Sequence, residues 1–203
     1  MPLKGKTKHE VLTEFRNAEI LEAAHKMFAQ NGFNGTSVEA IAQEAGIAKG
    51  TLYLYYNSKH EIYWAALKSG LVALCGELKQ KVDATETVED GLRAYIATKL
   101  SFFEQHRDFF KIYHAEFGNA VAHAIHNDFT ELLFEQLRMI RSILSEGLKQ
   151  GRVRAMNLDS MTFSVFDITR GAITQRLLGY SQGPIQEEID FLFDFVWKGI
   201  AYP

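Results

Sequence analysis

The sequence predicts an all-α chain, on three grounds. Its prolines stand at positions 2, 184 and 203, so the stretch from Lys4 to Gly183 contains none. Helix interiors exclude proline, whereas strands and loops usually carry some. Apolar residues recur at the three-and-four spacing of a helix with one buried face, and the breaks between these stretches fall at glycine, asparagine or short polar runs.

Composition places this helical chain among ordinary globular proteins. Of its 203 residues, 47% are hydrophobic and 23% charged, enough to bury a proper core. No run reaches the roughly 18 apolar residues of a membrane span, and the opening MPLKGKTKHEVLTEF lacks an apolar signal core. Cys75 is the single cysteine, which excludes an internal disulfide framework and fits a reducing compartment. A cytoplasmic protein is expected. The net charge of −3 does not announce a nucleic-acid binder. Its distribution is mildly uneven: residues 1–68 hold eight Lys/Arg against seven Asp/Glu, the remainder 14 against 18. Lys4, Lys6 and Lys8 form a short basic arm.

Each element has its own signal. From Phe15 to Phe33, residues Ile20, Ala24, Met27 and Phe28 share a helix face, with Leu21 and Ala23 beside them, and Asn31-Gly32 supplies a stop. Thr36 or Ser37 caps a second helix that carries Glu39 in its first turn and runs to Ala45 before Gly46. A third spans Ala48 to Tyr56. Ser58 caps a fourth, with Glu61 at capping-box spacing. The polar run from Asp83 to Asp90 reads as a loop. Beyond it, helices are expected over 88–105, 107–118, 120–150, 158–180 and 186–200, with Gly151 and Ser181–Pro184 at the last joins. The chain divides into domains 1–66 and 67–203, with the boundary inside the fourth helix, near Trp64–Leu71.

The stretch Thr36–Ile62, TSVEAIAQEAGIAKGTLYLYYNSKHEI, carries the chemistry. Two short helices meet at Ala45-Gly46-Ile47, where small residues permit a close crossing and glycine a sharp turn. Ile41, Ala45, Ile47 and Leu52 would form the seam of a helix-turn-helix, whose second helix enters a major groove. At about 100° per residue, Leu52 and Tyr56 fall together and point into the core. Gly50, Thr51 and Leu54 lie opposite, with Lys49, Tyr53 and Tyr55 on the flanks. Gly50 lets backbone approach a duplex. Thr51 can bond base edges or phosphates, and Leu54 is an apolar residue in water unless a thymine methyl covers it. Lys49, Tyr53, Tyr55 and Lys59 suit phosphate oxygens, which position a protein without reading sequence. The bland alternative is a plain helical hairpin whose tyrosines cap a small core.

Residues 16–67 closely resemble the DNA-binding domain of TetR/AcrR-type transcriptional regulators. The resemblance rests on Phe28–Gly32–Phe33 closing the first helix, Gly35-Thr36-Ser37 and the Ala45-Gly46 turn. It also rests on Lys49-Gly50-Thr51-Leu52-Tyr53 with Tyr55-Tyr56, then Ser58-Lys59-Glu61. The pattern covers about a quarter of the chain. It implies phosphate contacts by Thr36, Tyr53 and Lys59. Tyr55 stands where the family often has His and Tyr56 where it often has Phe. Ser37 joins the DNA-contacting set by its place in the same pattern. The resemblance further implies a one-component regulator, most often a repressor released from a palindromic operator by a small effector. It implies an effector cavity after residue 80, a dimer through the last two helices, and no cofactor.

The C-terminal part supports a dimer independently. Residues 158–180 and 186–200 carry Met161, Phe163, Val165, Phe166, Ile168, Ile173, Leu177 and Leu178, then Ile189, Phe191, Leu192, Phe193, Phe195, Val196 and Trp197. Apolar residues on more than one face need a second partner surface, although both faces could be buried within one subunit. From Phe102 onward the chain holds 12 of its 15 phenylalanines. Phe102, Phe103, Phe110, Tyr113, His114, Phe117, Phe134, Arg138, Phe166 and Arg170 are the candidate lining of an aromatic cavity for a flat or hydrophobic effector. Most of these aromatics also suit plain core. Arg170 needs a carboxylate partner, with Asp167 nearest in sequence, or a ligand anion.

Two readings from other classes compete. His123 and His126, one turn apart with Glu116 and Asp128 nearby, could hold zinc or iron. Glu22 and His25 match half of a di-iron bundle motif, whose second half the sequence lacks. There is no nucleophile–base pair and no phosphate-cradling glycine loop, so no enzyme is expected.

Overall fold

A computed structural model describes residues 7–116 and 129–202 in full, and the backbone of 117–123 and 127–128. Among these residues the chain forms nine helices: α1 (Lys8–Gly35), α2 (Val38–Glu44), α3 (Lys49–Leu52), α4 (Lys59–Asp83), α5 (Val88–Gln105), α6 (Arg107–His123), α7 (Asn127–Lys149), α8 (Leu158–Leu177) and α9 (Ile185–Ile200). The described residues include no strand, only a lone antiparallel bridge from Val153 to Ala201.

Several helix ends differ from the periodicity, each for a local reason. The first helix starts at Lys8 because Thr7 and Glu10 form a reciprocal capping box. Its first turns leave Val11, Leu12 and Phe15 exposed, so no apolar face advertised them. Gly32, at φ 67°, breaks this helix at the expected stop, though a last short turn carries it on to Gly35. The third helix ends at Leu52, four residues short of Tyr56. There the amides of Leu54 and Tyr55 bond three residues back, to Thr51 and Leu52, tightening the chain into turns. The join expected near 119 is absent there, since α6 runs on to His123. At the end of α8, Gly179 takes φ 80° and the amide of Tyr180 reaches back to the Gln175 carbonyl, which closes the helix before the expected residue 180.

The helices gather into two compact units. The first comprises residues up to Gly70 together with Asp108–Glu116 of α6; the second holds Leu71–Arg107 and Phe117 onward. The division in α4 thus falls a few residues beyond the expected 66/67, and a piece of α6 that the sequence assigns to the C-terminal domain belongs with the first unit. That unit buries Ile20, Ala24, Phe28, Ile41, Leu52, Ile62 and Leu67. His25 donates to the Ala66 carbonyl at 2.8 Å and meets the ring of Phe109 edge-on, tying α1 to α4 and α6.

In the second unit α5 is the central helix, packed against α7, α8 and α9. Leu92, Tyr95, Ile96, Leu100, Phe102 and Phe103 are all buried, so α5 is enclosed on most of its circumference. The α8–α9 join is held by Arg176, which donates to Glu188 at 2.5 Å, Glu104 at 3.1 Å and the Gly183 carbonyl at 2.6 Å. A guanidinium this buried persists because its donors are satisfied by fixed acceptors.

Two glycines test the packing of the second unit. A Cβ on Gly147 would stand 2.6 Å from a methyl of Val153 and 2.9 Å from one of Val88, whereas a Cβ on Gly76 in α4 would meet nothing within 4 Å. Gly147→Ala should therefore cost about 1–3 kcal/mol, and Gly76→Ala should add roughly 0.5–1 kcal/mol through helix propensity. Urea denaturation of the two variants checks both signs; a neutral Gly147→Ala would mean that α7 does not pack this closely.

Candidate nucleic-acid interface

The reading head is built from the ends of α1, α2 and α3. Ser37 caps α2 by accepting the Ala40 amide at 3.1 Å, and Val38, Ile41 and Ala42 bury its inner face. Gly46 then turns the chain at φ 65°, a conformation that favours glycine. The Ile47 amide closes on the Ala42 carbonyl at 2.9 Å. Ala45 and Ile47 are only half-buried, so the seam rests on Ile41 and Leu52. Leu52 and Tyr56 point inward as the helical wheel predicts. The Tyr56 hydroxyl donates to Asn17 at 2.5 Å, fastening the end of this segment to α1. Burial raises the pKa of that phenol above its ordinary value.

The opposite side faces water. Leu54 is 83% exposed, Tyr53 and Lys49 are exposed, and Thr51 and Tyr55 are half-buried. A Cβ on Gly50 would meet nothing within 4 Å. Lys49 is ion-paired with Glu39 of α2 and lies 5.7 Å from the Tyr53 ring centroid. The hydrogen bond between them holds the Glu39 carboxyl below its ordinary pKa and the Lys49 amine above its own, so both stay charged through neutrality.

Two residues of the expected set are directed inward. Thr36 is buried, and its hydroxyl donates to the carbonyls of Met27 at 3.0 Å and Gly32 at 2.8 Å. It ties the chain to the kinked end of α1, so a phosphate contact by its hydroxyl is not available in this conformation. Lys59 donates to the carbonyls of Phe33 at 2.7 Å and Thr36 at 2.9 Å, and its ammonium sits 4.4 Å from the Phe33 ring centroid. Sequence reasoning missed Asn17 as the partner of Tyr56, and it placed Glu39 in the first turn of α2 without its pairing to Lys49. Each lies on a different element from the residue it holds, and no local spacing marks such pairs.

The candidate effector residues divide between the two units. Phe110 and Tyr113, both buried, and the half-buried His114 belong to the α6 segment of the first unit. Phe102, Phe103 and Phe166 are buried in the second unit. Phe134 is exposed there, as is Arg138, which pairs with Glu131 at 3.6 Å. Arg170 pairs with Asp167 at 2.9 Å. The side chain of Phe117 lies outside the described residues. A groove of about 450 Å³ runs between the end of α4, the start of α5 and α7 of the second unit. Lys79, Asp83, Glu86, Glu135 and Glu146 are among its walls, with Arg138 the one expected residue there and no aromatic side chain.

The residues of the rival readings are placed only in part. His123, His126 and Asp128 lie outside the described side chains, and among the described residues no group of three His, Cys, Asp or Glu is placed to hold a metal. His25 serves as a structural donor to Ala66. Cys75 is buried, and burial pushes its thiol up to about 12, far from a reactive thiolate. No helix among the described residues is long and apolar enough to cross a membrane.

Comparison with known proteins agrees with the geometry. Residues 20–66 match the model of the bacterial regulatory proteins of the tetR family. The HTH-type transcriptional repressor KstR2 of Mycolicibacterium smegmatis is 31% identical over 140 residues, 68% of each chain. The solved ketosteroid transcriptional regulator KstR2 of Mycobacterium tuberculosis superposes with a TM-score of 0.75 at 26% identity, covering 93% of this chain and 96% of that one. The regulator FadR of Bacillus subtilis, solved with stearoyl-CoA, has the same fold at a TM-score of 0.76 and 20% identity, over 90% and 98% of the two chains.

The Lys49–Glu39 pair generates a test. A carboxylate on the reading face repels phosphate and competes for the lysine, so Glu39→Gln should tighten binding to any duplex severalfold at low salt. The plot of log affinity against log salt should steepen by up to about one unit. Fluorescence anisotropy with a labelled duplex measures both quantities; identical affinity and slope would place Lys49 away from the DNA.

Proposed function

The chain belongs to the tetR family of bacterial transcriptional regulators, and from that premise we propose that it is a repressor whose dimer holds a palindromic operator until a small hydrophobic effector enters its C-terminal unit. The observation that carries the reading is the exposed side of the segment Lys49–Tyr55. An almost fully exposed leucine, an open glycine, a lysine and two tyrosines stand together there, while Leu52 and Tyr56 alone anchor the segment from behind. Water gains nothing from this arrangement, whereas a major groove offers thymine methyls to Leu54, base edges to Thr51 and phosphates to Lys49, Tyr53 and Tyr55. Ser37 would face phosphate at the start of α2. Lys59 directs two of its three N–H bonds to carbonyls and would give the third to the backbone of the DNA.

A two-fold operator needs a two-fold protein. The last two helices sort their apolar residues by face. Met161, Val165, Phe166, Ile173, Ile189, Leu192, Phe193 and Val196 are buried, whereas Phe163, Leu178, Phe191 and Phe195 remain exposed. This exposed set supports a helical interface between two chains. Effector binding would act along α4, which starts in the unit that holds the reading head and ends in the other. The effector can weaken operator binding only by the ratio of its affinities for the two shapes, typically ~1–3 kcal/mol. A regulator of this kind works in the cytoplasm, where its operator is.

Gly50 separates the operator reading from a merely structural hairpin. With open space at its Cβ, Gly50→Ala should raise the melting temperature slightly through helix propensity. The same methyl should weaken duplex binding at least tenfold if backbone approaches DNA there. A variant that is more stable and binds as well as the parent would remove this face from the interface. Light scattering should return about twice 23.0 kDa for the free protein; a clean monomer would end the two-fold argument.

A further inference from the structure

The interior of the C-terminal unit holds two polar side chains whose hydrogen-bonding capacity its own residues do not meet. Lys99 of α5 has no exposed surface. Its ammonium makes one long hydrogen bond, to the Tyr95 hydroxyl at 3.3 Å, and otherwise rests 4.1 Å from the Phe166 ring centroid. Gln136 of α7 is equally buried, and neither its amide oxygen nor its nitrogen has a hydrogen-bond partner. The two belong to one neighbourhood. The Cys75 thiol meets the Leu132 carbonyl, one helical turn from Gln136, at 3.5 Å, and the same Cys75 interacts electrostatically with Lys99. In addition, α5 packs directly on α7 and on α8, which carries Phe166.

A buried lysine with a single long hydrogen bond and a buried amide with none are each costly, and interiors seldom retain them without reason. Here the pair spans two helices and is complementary to one kind of group. A carboxylate would accept from Lys99 and from the Gln136 amide at once, leaving its apolar body against Phe166 and its neighbours. The charge balance agrees. Arg170 acts against the positive charge of Lys99, while Asp167, which would favour it, is already bonded to Arg170. Glu135 and Arg138 of α7 act on Cys75 with opposite sign. Burial, and Arg170 after it, bring Lys99 down to about 7, so the free protein holds this lysine largely uncharged in mildly alkaline solution.

We propose that Lys99 and Gln136 form the polar anchor of the effector site, and that the effector is a hydrophobic acid bound through its carboxylate. The proposal deepens the effector reading above and rests on it. Sign follows from the chemistry. A bound carboxylate favours the charged lysine and raises its pKa, so binding at pH 8 should take up close to one proton per site.

Calorimetry on the DNA-free dimer tests this, with dodecanoate and the steroidal acid cholate as probes and their methyl esters as neutral controls. Titrations in two buffers of different ionisation enthalpy at pH 8 yield the proton uptake. At least one acid should bind, at least tenfold more tightly than its ester and with proton uptake. Lys99→Met should lose affinity at least tenfold together with the uptake, while Gln136→Leu should lose affinity and keep it. Both variants remove a buried polar group whose hydrogen-bonding capacity is poorly met, so their melting temperatures should hold or rise and their duplex affinity should stay at the parent value. The proposal is overturned if neither acid binds, if an ester matches its acid, if no proton is taken up, or if Lys99→Met binds like the parent. The operator reading is judged separately by duplex binding. A protein that grips DNA but ignores both acids loses this site alone, and one that takes the acid with its proton yet ignores every duplex loses the regulator reading alone.

Discussion

The reading head depends on how the end of α1 is closed. Helices of seven and four residues, such as α2 and α3, are too short to persist by themselves. Their position comes from a knot of side chain and backbone at residues 32–36. Thr36 bonds two carbonyls of α1, and Lys59 bonds two further carbonyls while lying over Phe33. Three helices are thereby joined at one point: the end of α1, the start of α2 and the start of α4. Tyr56 and Asn17 supply a second tie at the far end of the recognition segment. With both ends fastened, the exposed side between them is held in place by neighbours that never reach it.

This closure changes what the resemblance to TetR/AcrR regulators means for individual residues. Thr36 and Lys59 carry the family pattern, yet their hydrogen bonds already have a use within the chain. The two roles differ in their consequences. A buried hydroxyl with both of its contacts on α1 can affect DNA only by placing α2, whereas an ammonium with a proton to spare can do both. The electrostatics of the head follow the same economy. Glu39 neutralises Lys49, as Glu44 does Lys26 and Glu19 does Arg16, so acids offset most bases of the first 68 residues and net charge was a poor guide to function.

Much of this was legible in sequence because the signals are local. Ser58 with Glu61, the Gly46 turn and the inward pairing of Leu52 with Tyr56 all follow from spacings of two to four residues, and the structure has each of them. One detail of the capping box differs, since the Glu61 carboxylate accepts from Asn57 where the motif would have it reach Ser58. Features set by distant residues were not legible. The pairing of Lys49 with Glu39 joins separate helices, and the assignment of residues 108–116 to the first unit depends on packing of α6 with helices that are remote in sequence. The early start of α1 escaped for a different reason: its opening turns are exposed, so no buried stripe marks them.

The C-terminal unit shows why aromatic density is a weak pointer to a binding site. Phenylalanine at helical spacing serves a core as well as it lines a cavity, and the described groove contains none of the expected rings. Lys99 went unnoticed because lysine on a helix normally lies at the surface. Its neighbours Tyr95, Ile96, Leu100 and Phe103 give the clue in retrospect, for a lysine amid four buried residues of its own helix has no route to water. Aromatic residues tell where the interior is. A polar group held there at a cost, with too few partners from the same chain, is the better place to look for what a ligand would bring.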